Sequence, residues 1–172
     1  MEESREELLK FAKHFERAQG WLLLENHAAA ARALRLIPAA YRGRPEVDQF
    51  RAQLHLAAGQ WRQAVPILRR LRDQDASDPQ VWVSLAYATR RAKSLEAAEE
   101  ILQQARERFP GVAIIWFNLA CYAAQQGRFA DARDWLRVAR RRESAYEEMA
   151  KADADLAPYW QAVNAGKVTP PW

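Results

Sequence analysis

The stretch from Trp82 to Pro110 returns along this chain at a spacing of 34 residues, and a fixed long period narrows the possible folds more than any other feature of a sequence. Within the stretch, Trp82, Leu85 and Ala86 mark one short amphipathic helix. A break follows at Ala92–Ser94, and Ala98, Leu102 and Ala105 mark a second helix that stops at Pro110. A hairpin this short cannot bury its apolar face alone. One period on, Trp116, Leu119, Ala120, Ala132, Leu136 and Ala139 stand in the same places without a gap. One period back, Ala52, Ala64, Leu68 and Leu71 fall in register, with Gly59 at the break. Two periods back, Ala18, Ala30, Leu34 and Ile37 follow more loosely. Three ladders result: Ala18, Ala52, Ala86 and Ala120; Ala30, Ala64, Ala98 and Ala132; Leu34, Leu68, Leu102 and Leu136. Ladders of this kind predict stacked helical repeats sharing one core.

With Trp82-x-x-Leu85-Ala86, Ala98-x-x-x-Leu102 and Pro110, then Trp116-x-Asn118-Leu119-Ala120, Gly127-x-Phe129 and Ala132-x-x-x-Leu136, the chain resembles the tetratricopeptide repeat (TPR) family over residues 11–146. The third and fourth repeats match well. The second has Asp48 and Arg51 in place of the Trp and Leu of its first helix. The first has His14 and Arg17 there and lacks the glycine turn. The resemblance implies an all-α fold, a right-handed superhelical α-solenoid of antiparallel helix pairs. It would form a single TPR-like domain over 1–166, with repeats at 11–44, 45–78, 79–112 and 113–146, a cap at 144–166 and an extended tail at 167–172.

The length suits one soluble domain with a core of its own. Ser4-x-x-Glu7 has the capping-box form and predicts the start of the first helix. Gly20 is expected to loosen that helix before Trp21–Leu24, and a second helix runs from His27 to Leu36. Pro45 and Pro79 fit the first turn of a helix, where a missing amide donor costs nothing, and Asp78 fits the cap before the latter. Pro66 is expected within the first turn of its helix. Ser144-x-x-Glu147 predicts the start of a terminal helix, and Pro158 opens a last turn with Tyr159 and Trp160. The run Asp155-Leu156-Ala157-Pro158-Tyr159-Trp160 resembles the tail after the final repeat of some bacterial TPR proteins. No run of 18 apolar residues is present. The charged N-terminus MEESREELLK suits neither a signal nor a transit peptide. The expected location is therefore cytoplasmic.

Catalytic and cofactor signatures are not found. His14, His27 and His55 lie one to a repeat without metal-ligand spacing, and Cys121 sits alone in an apolar helix, so no metal, cofactor or enzymatic activity is expected. No phosphate-cradling glycine motif occurs among the six glycines.

The informative residues are those off the core face of each first helix. In the TPR family the first helices line a concave groove that takes peptides or helices of partner proteins. Carried over by position, the groove holds Phe15, Gln19, Gln49, Phe50, Gln53, Val83, Tyr87, Arg91, Phe117, Asn118, Cys121 and Gln125. It is aromatic and amide-rich and suits an apolar helix or extended segment. The alternative is that these residues pack against neighbouring repeats or the C-terminal segment. The helix at Ile114–Ala124 is apolar almost all round and must be covered on both sides. The two-carboxylate clamp by which some family members hold acidic C-terminal peptides is absent. Its positions carry Phe15, Gln19, Phe50, Val83 and Tyr87. The tail Pro170-Pro171-Trp172 is a candidate self-ligand, folding back or entering a second molecule.

The net charge is +4, mostly through arginine. Arg72, Arg106 and Arg140 share one repeat position, and Arg108 and Arg142 another, so stacking would align them in a basic stripe. Cations near helix C-termini also offset the helix dipole, which makes a solvated face the favoured reading of the stripe. The sequence therefore points to a non-enzymatic interaction module for a protein segment. A secretion-type chaperone for a partly unfolded client, or a nucleic-acid-associated protein using the stripe, stands as the alternative.

Overall fold

The computed structural model describes residues 5–172, and every regular element among them is helical. The contacts cluster into two compact units, Met1–Val81 and Trp82–Trp172. The first contains α1 (Arg5–Leu23), α2 (His27–Arg35), a 3-10 turn at Ala39–Tyr41, α3 (Pro45–Ala57) and α4 (Trp61–Gln74). The division falls inside α5 (Pro79–Ala92). The second unit continues with α6 (Leu95–Arg108), α7 (Ala113–Gln125), α8 (Phe129–Arg142), α9 (Tyr146–Ala152), a 3-10 turn at Ala154–Leu156 and α10 (Ala157–Asn164). Helices α1 and α2, α3 and α4, and α7 and α8 pack as pairs, as the period requires. The predicted cap at Ser4 lies outside the described residues.

Every rung of the three ladders is buried. Ala18, Ala52, Ala86 and Ala120 are at most 1% exposed, and the second alanine ladder is fully buried. At such positions the absence of a side chain beyond Cβ is what lets two helices approach. In the first unit the core gathers Phe11, Ala18, Ala30, Leu34, Ile37, Tyr41, Val47, Phe50 and Leu54. In the second it runs through Leu85, Leu102, Ile115, Leu119 and Leu136, all fully buried.

The reversals of the first, second and fourth pairs share one device. Gly59 and Gly127 take the left-handed conformation, at φ 68° and 74°, and close their helices with a pair of backbone bonds. The amide after each glycine reaches back five residues: Gln60 N–H to His55 O at 2.8 Å and Arg128 N–H to Ala123 O at 2.9 Å. The first repeat, expected to lack this turn for want of a glycine, makes it with Glu25 at φ 55°, and Asn26 N–H donates to Trp21 O at 2.9 Å. A left-handed non-glycine residue costs roughly 1–2 kcal/mol. The tertiary packing of α1 on α2 sustains that cost. The third repeat has Lys93 at this position and uses a different stop: Lys93 N–H continues the helix to Thr89 O, and Ser94 Oγ caps α6 by accepting from Ala97 N–H at 3.2 Å.

Three local expectations are corrected. Gly20 leaves α1 unbroken to Leu23, because its missing side chain weakens a helix without ending it when neighbours are well packed. Pro66 is the sixth residue of α4 and thus lies beyond its first turn. Both it and Arg62, whose carbonyl loses its partner, are on the exposed side, where water replaces the bond. Ser144 caps nothing with its side chain: α9 starts from Ala145, and Glu147 accepts instead from Arg140 Nε at 2.6 Å. The tail, 167–172, holds no helix or strand and folds back on its own unit, one of the two placements open to it. Arg137 Nε donates to Pro171 O at 2.7 Å, Tyr159 Oη donates to Thr169 O at 3.2 Å, and Trp172 meets Trp160 edge-on with centroids 6.2 Å apart. The tail thus lies against α8 and α10.

The charged pair in the second repeat also has a structural explanation. Asp48 is buried in the slot that Trp82 occupies one period later, and its side chain is 3% exposed. Its carboxylate accepts from Arg51 Nη1 at 2.6 Å and from Arg70 at 2.7 and 3.1 Å. An ion triad thus replaces an apolar layer.

Candidate partner-binding faces

In the first unit, α1 and α3 present an aromatic floor with amides around it. Phe15 is half-buried, stacked on Phe11 with centroids 5.5 Å apart and edge-on to Phe50 at the same distance. Gln19, Gln49 and Gln53 are exposed. Phe50, expected to line the groove, is buried in the core, because its ring fills the space beside Phe15 and joins the apolar cluster of the unit. It packs beneath Phe15 and is not itself accessible.

In the second unit, α5 carries the accessible positions. Val83 is half-buried, and Tyr87 is 43% exposed with the Arg91 guanidinium 3.6 Å from its ring centroid. A cation held over an aromatic face forms a flat platform of mixed character, with one side already engaged.

Along α7 the groove expectation is overturned for two residues. Phe117 is 3% exposed, its ring packed on Tyr146 of α9 with centroids 4.9 Å apart. Cys121 is 2% exposed. The physical reason is the all-round apolar sequence of α7: its second face needs cover, and the C-terminal segment supplies it. Asn118 is half-buried at the edge of this cover. Gln125 is exposed, but its Nε2 donates to the Asp155 carbonyl at 2.7 Å, so it serves the cap. Arg90 on α5 secures the same turn by a two-pronged ion pair with Asp155, one arm at 2.8 Å, and its guanidinium also lies over the Tyr122 ring. Sequence reading missed Asp155 as a latch. No repeat contains it, and its partner is far away in the chain.

The latch has a pH sign. The Arg90 hydrogen bond, partly opposed by burial and helped by the guanidinium's charge, holds the Asp155 carboxyl below the usual aspartate range. A carboxyl with its folded value depressed stabilises above its unfolded value and loses that contribution as pH falls through the folded one. The latch is thus expected to hold at neutral pH and to weaken as pH falls through the depressed value. Burial, with Asp153 and Asp155 adding to it, pushes the Cys121 thiol well above its ordinary value. A thiol reagent at about pH 8, near the ordinary thiol pKa, is therefore expected to label Cys121 very slowly. Asp155→Ala is expected to speed labelling severalfold with helix content unchanged by circular dichroism. Equal rates in the two proteins would show that the latch does not hold the cover.

The expected basic stripe is divided among local partners. Arg72 meets Asp73 at 2.7 Å, the Arg106 guanidinium lies over Trp116 and that of Arg108 over Phe109, and Arg140 pairs with Glu147 and lies over Trp172. Arg142 is exposed at the end of α8. His55 Nδ1 is 2.7 Å from Gln60 Oε1, and no group of His, Cys, Asp and Glu suited to a metal ion exists among the described residues. No helix among them is long and apolar enough to cross a membrane.

The Tetratricopeptide repeat family profile matches residues 51–111 and 95–148. No curated protein matches the sequence. Among solved structures, MamA protein superposes with a TM-score of 0.69 at 16% identity over 92% of this chain and 88% of that one. YrrB, described as a TPR protein with an unusual peptide-binding site, gives 0.68 at 15% identity over 81% and 73%. A thermophilic TPR protein of Thermus thermophilus gives 0.61 at 18% over 89% and 90%. Together with the buried ladders and the helix pairs, these matches place the chain in the tetratricopeptide repeat family, with the α-solenoid fold of that family.

Proposed function

We propose that the chain is a protein-interaction module, one functional domain over residues 1–166, that takes a segment of a partner protein on the accessible faces of its first helices. The observation that carries this reading is the Tyr87–Arg91 platform on α5, an exposed aromatic with a cation at 3.6 Å on the face that first helices use in this family. In the first unit, Phe15 with Gln19, Gln49 and Gln53 is a candidate contact surface in its own right. Aromatic rings give contact area at low entropic cost, and side-chain amides can bond the backbone of an extended or helical segment. That YrrB is described as having a peptide-binding site supports the class of partner.

Phe117 and Cys121 have no part in this reading, since the C-terminal cover occupies their face. The reading predicts that Tyr87→Glu weakens capture of the partner by at least tenfold, the loss typical of a central aromatic contact worth more than about 1.4 kcal/mol. Pull-down followed by mass spectrometry identifies the partner, and titration of wild type and variant measures the loss. Undiminished binding by a variant of unchanged helix content would remove α5 from the interface.

A further inference from the structure

A cavity of about 400 Å³ opens between α2, the 3-10 turn and α3 of the first unit. It is lined by Arg35, Arg42, Arg51 and His55, with Leu34 and Leu54 forming an apolar floor. None of its lining residues is an aspartate or glutamate. Arg42 is held in place by donating from Nε to Ile37 O at 2.8 Å and from Nη2 to Arg35 O at 3.0 Å. Those carbonyls fix its orientation but carry no formal charge. Arg51 is fixed by Asp48, whose single negative charge is shared with Arg70. Arg35 has no carboxylate partner among the described residues. The cavity thus carries an excess of positive charge, and two of its guanidinium groups are already oriented.

We propose that this cavity binds a carboxylate of an acidic peptide segment in a partner protein, with an adjacent apolar side chain seated against Leu34 and Leu54. Guanidinium forks match carboxylates in a bidentate way, and pre-positioned ones lose little freedom on binding. Leu34 and Leu54 are 7% and 5% exposed, so an apolar neighbour of the carboxylate meets only their edges and half-buried Ala31, a contact that a bare inorganic anion cannot make. The site uses none of the residues assigned to the accessible faces of the first helices, so it stands or falls independently of that reading. It also lies on other residues than the family's two-carboxylate clamp, whose positions here lack the clamp's basic groups.

The test is a titration of the full-length nitrogen-15-labelled chain, observing backbone amide and arginine Nε–Hε signals. Three probes are compared: the blocked peptide Leu-Glu-Leu-Glu, its twin Leu-Gln-Leu-Gln, and inorganic phosphate. The glutamate peptide is expected to shift the signals of Arg35, Arg42, Arg51 and His55 saturably, and the glutamine twin to leave them in place. Arg35→Glu is the variant of choice, because Arg35 is exposed at the end of α2. It is expected to weaken the glutamate peptide by about tenfold or more, the scale of one charge-assisted hydrogen bond. Arg35→Gln should give a smaller loss in the same direction. Saturable shifts from phosphate alone would overturn the peptide assignment in favour of a simple anion site. Shifts spread over the basic surface and indifferent to Arg35→Glu would overturn it as general charge attraction, and the lack of any shift would overturn the site itself.

Discussion

Replacing Arg51 and Arg70 together by alanine is expected to destabilise the protein by about 3–5 kcal/mol, the cost of leaving a buried charge without partners. The Asp48 side chain is 3% exposed, whereas Arg51 and Arg70 are 30% and 51% exposed. Removing the arginines strands a carboxylate away from water. Removing the carboxylate leaves two cations that water can still reach, so Asp48→Leu alone should cost much less. It also returns an apolar side chain to the position that tryptophan holds in the third repeat. The triple variant, with Asp48→Leu added to the two alanines, is accordingly expected to recover most of the loss. Urea denaturation at constant slope measures all three. A double variant as stable as wild type would show that Asp48 does not depend on these partners.

The second large effect is expected at Leu119. It is fully buried on α7, beside the equally buried ladder alanine Ala120. Leu119→Ala removes a large apolar group from a place that cannot collapse, because the neighbouring alanines already hold the helices close together. The expected loss is about 2–5 kcal/mol. Leu36→Ala is the natural control. Leu36 is 57% exposed at the end of α2, and its loss should be within about 0.5 kcal/mol of neutral. Thermal melts of the two variants separate packing from any general effect of shortening a leucine.

How far the sequence reveals this protein depends on the range of the interaction. Ala86, Ala98 and Leu102 repeat because every helix pair faces the same packing problem, so the period exposes the core directly. Pro45 and Pro79 are legible as helix starts for a local reason, the missing amide donor. Glu25 is not, since nothing in an isolated glutamate announces a left-handed turn that only the packing of α1 on α2 enforces. Asp48 and Arg51 are visible as departures from the repeat. That they form a buried triad requires Arg70, more than half a repeat away. Phe117 and Cys121 mislead for the same reason. Their register matches groove positions in the other repeats, but a cover outside the repeat pattern closes over them. Tyr87 and Arg91 keep their accessible place because no such cover reaches α5 at that level.

The left-handed reversals carry a kinetic consequence. Each one brings a helix back onto its immediate predecessor, so the contacts that build a pair join residues close in sequence. The loop-closing entropy to be overcome before they form is small, and chains rich in such contacts fold fast. The Arg90–Asp155 pair is of a different kind, spanning 65 residues. With α6 to α9 lying between its partners, it is expected to close late, so its strength should bear on how slowly the finished molecule comes apart more than on how quickly it assembles.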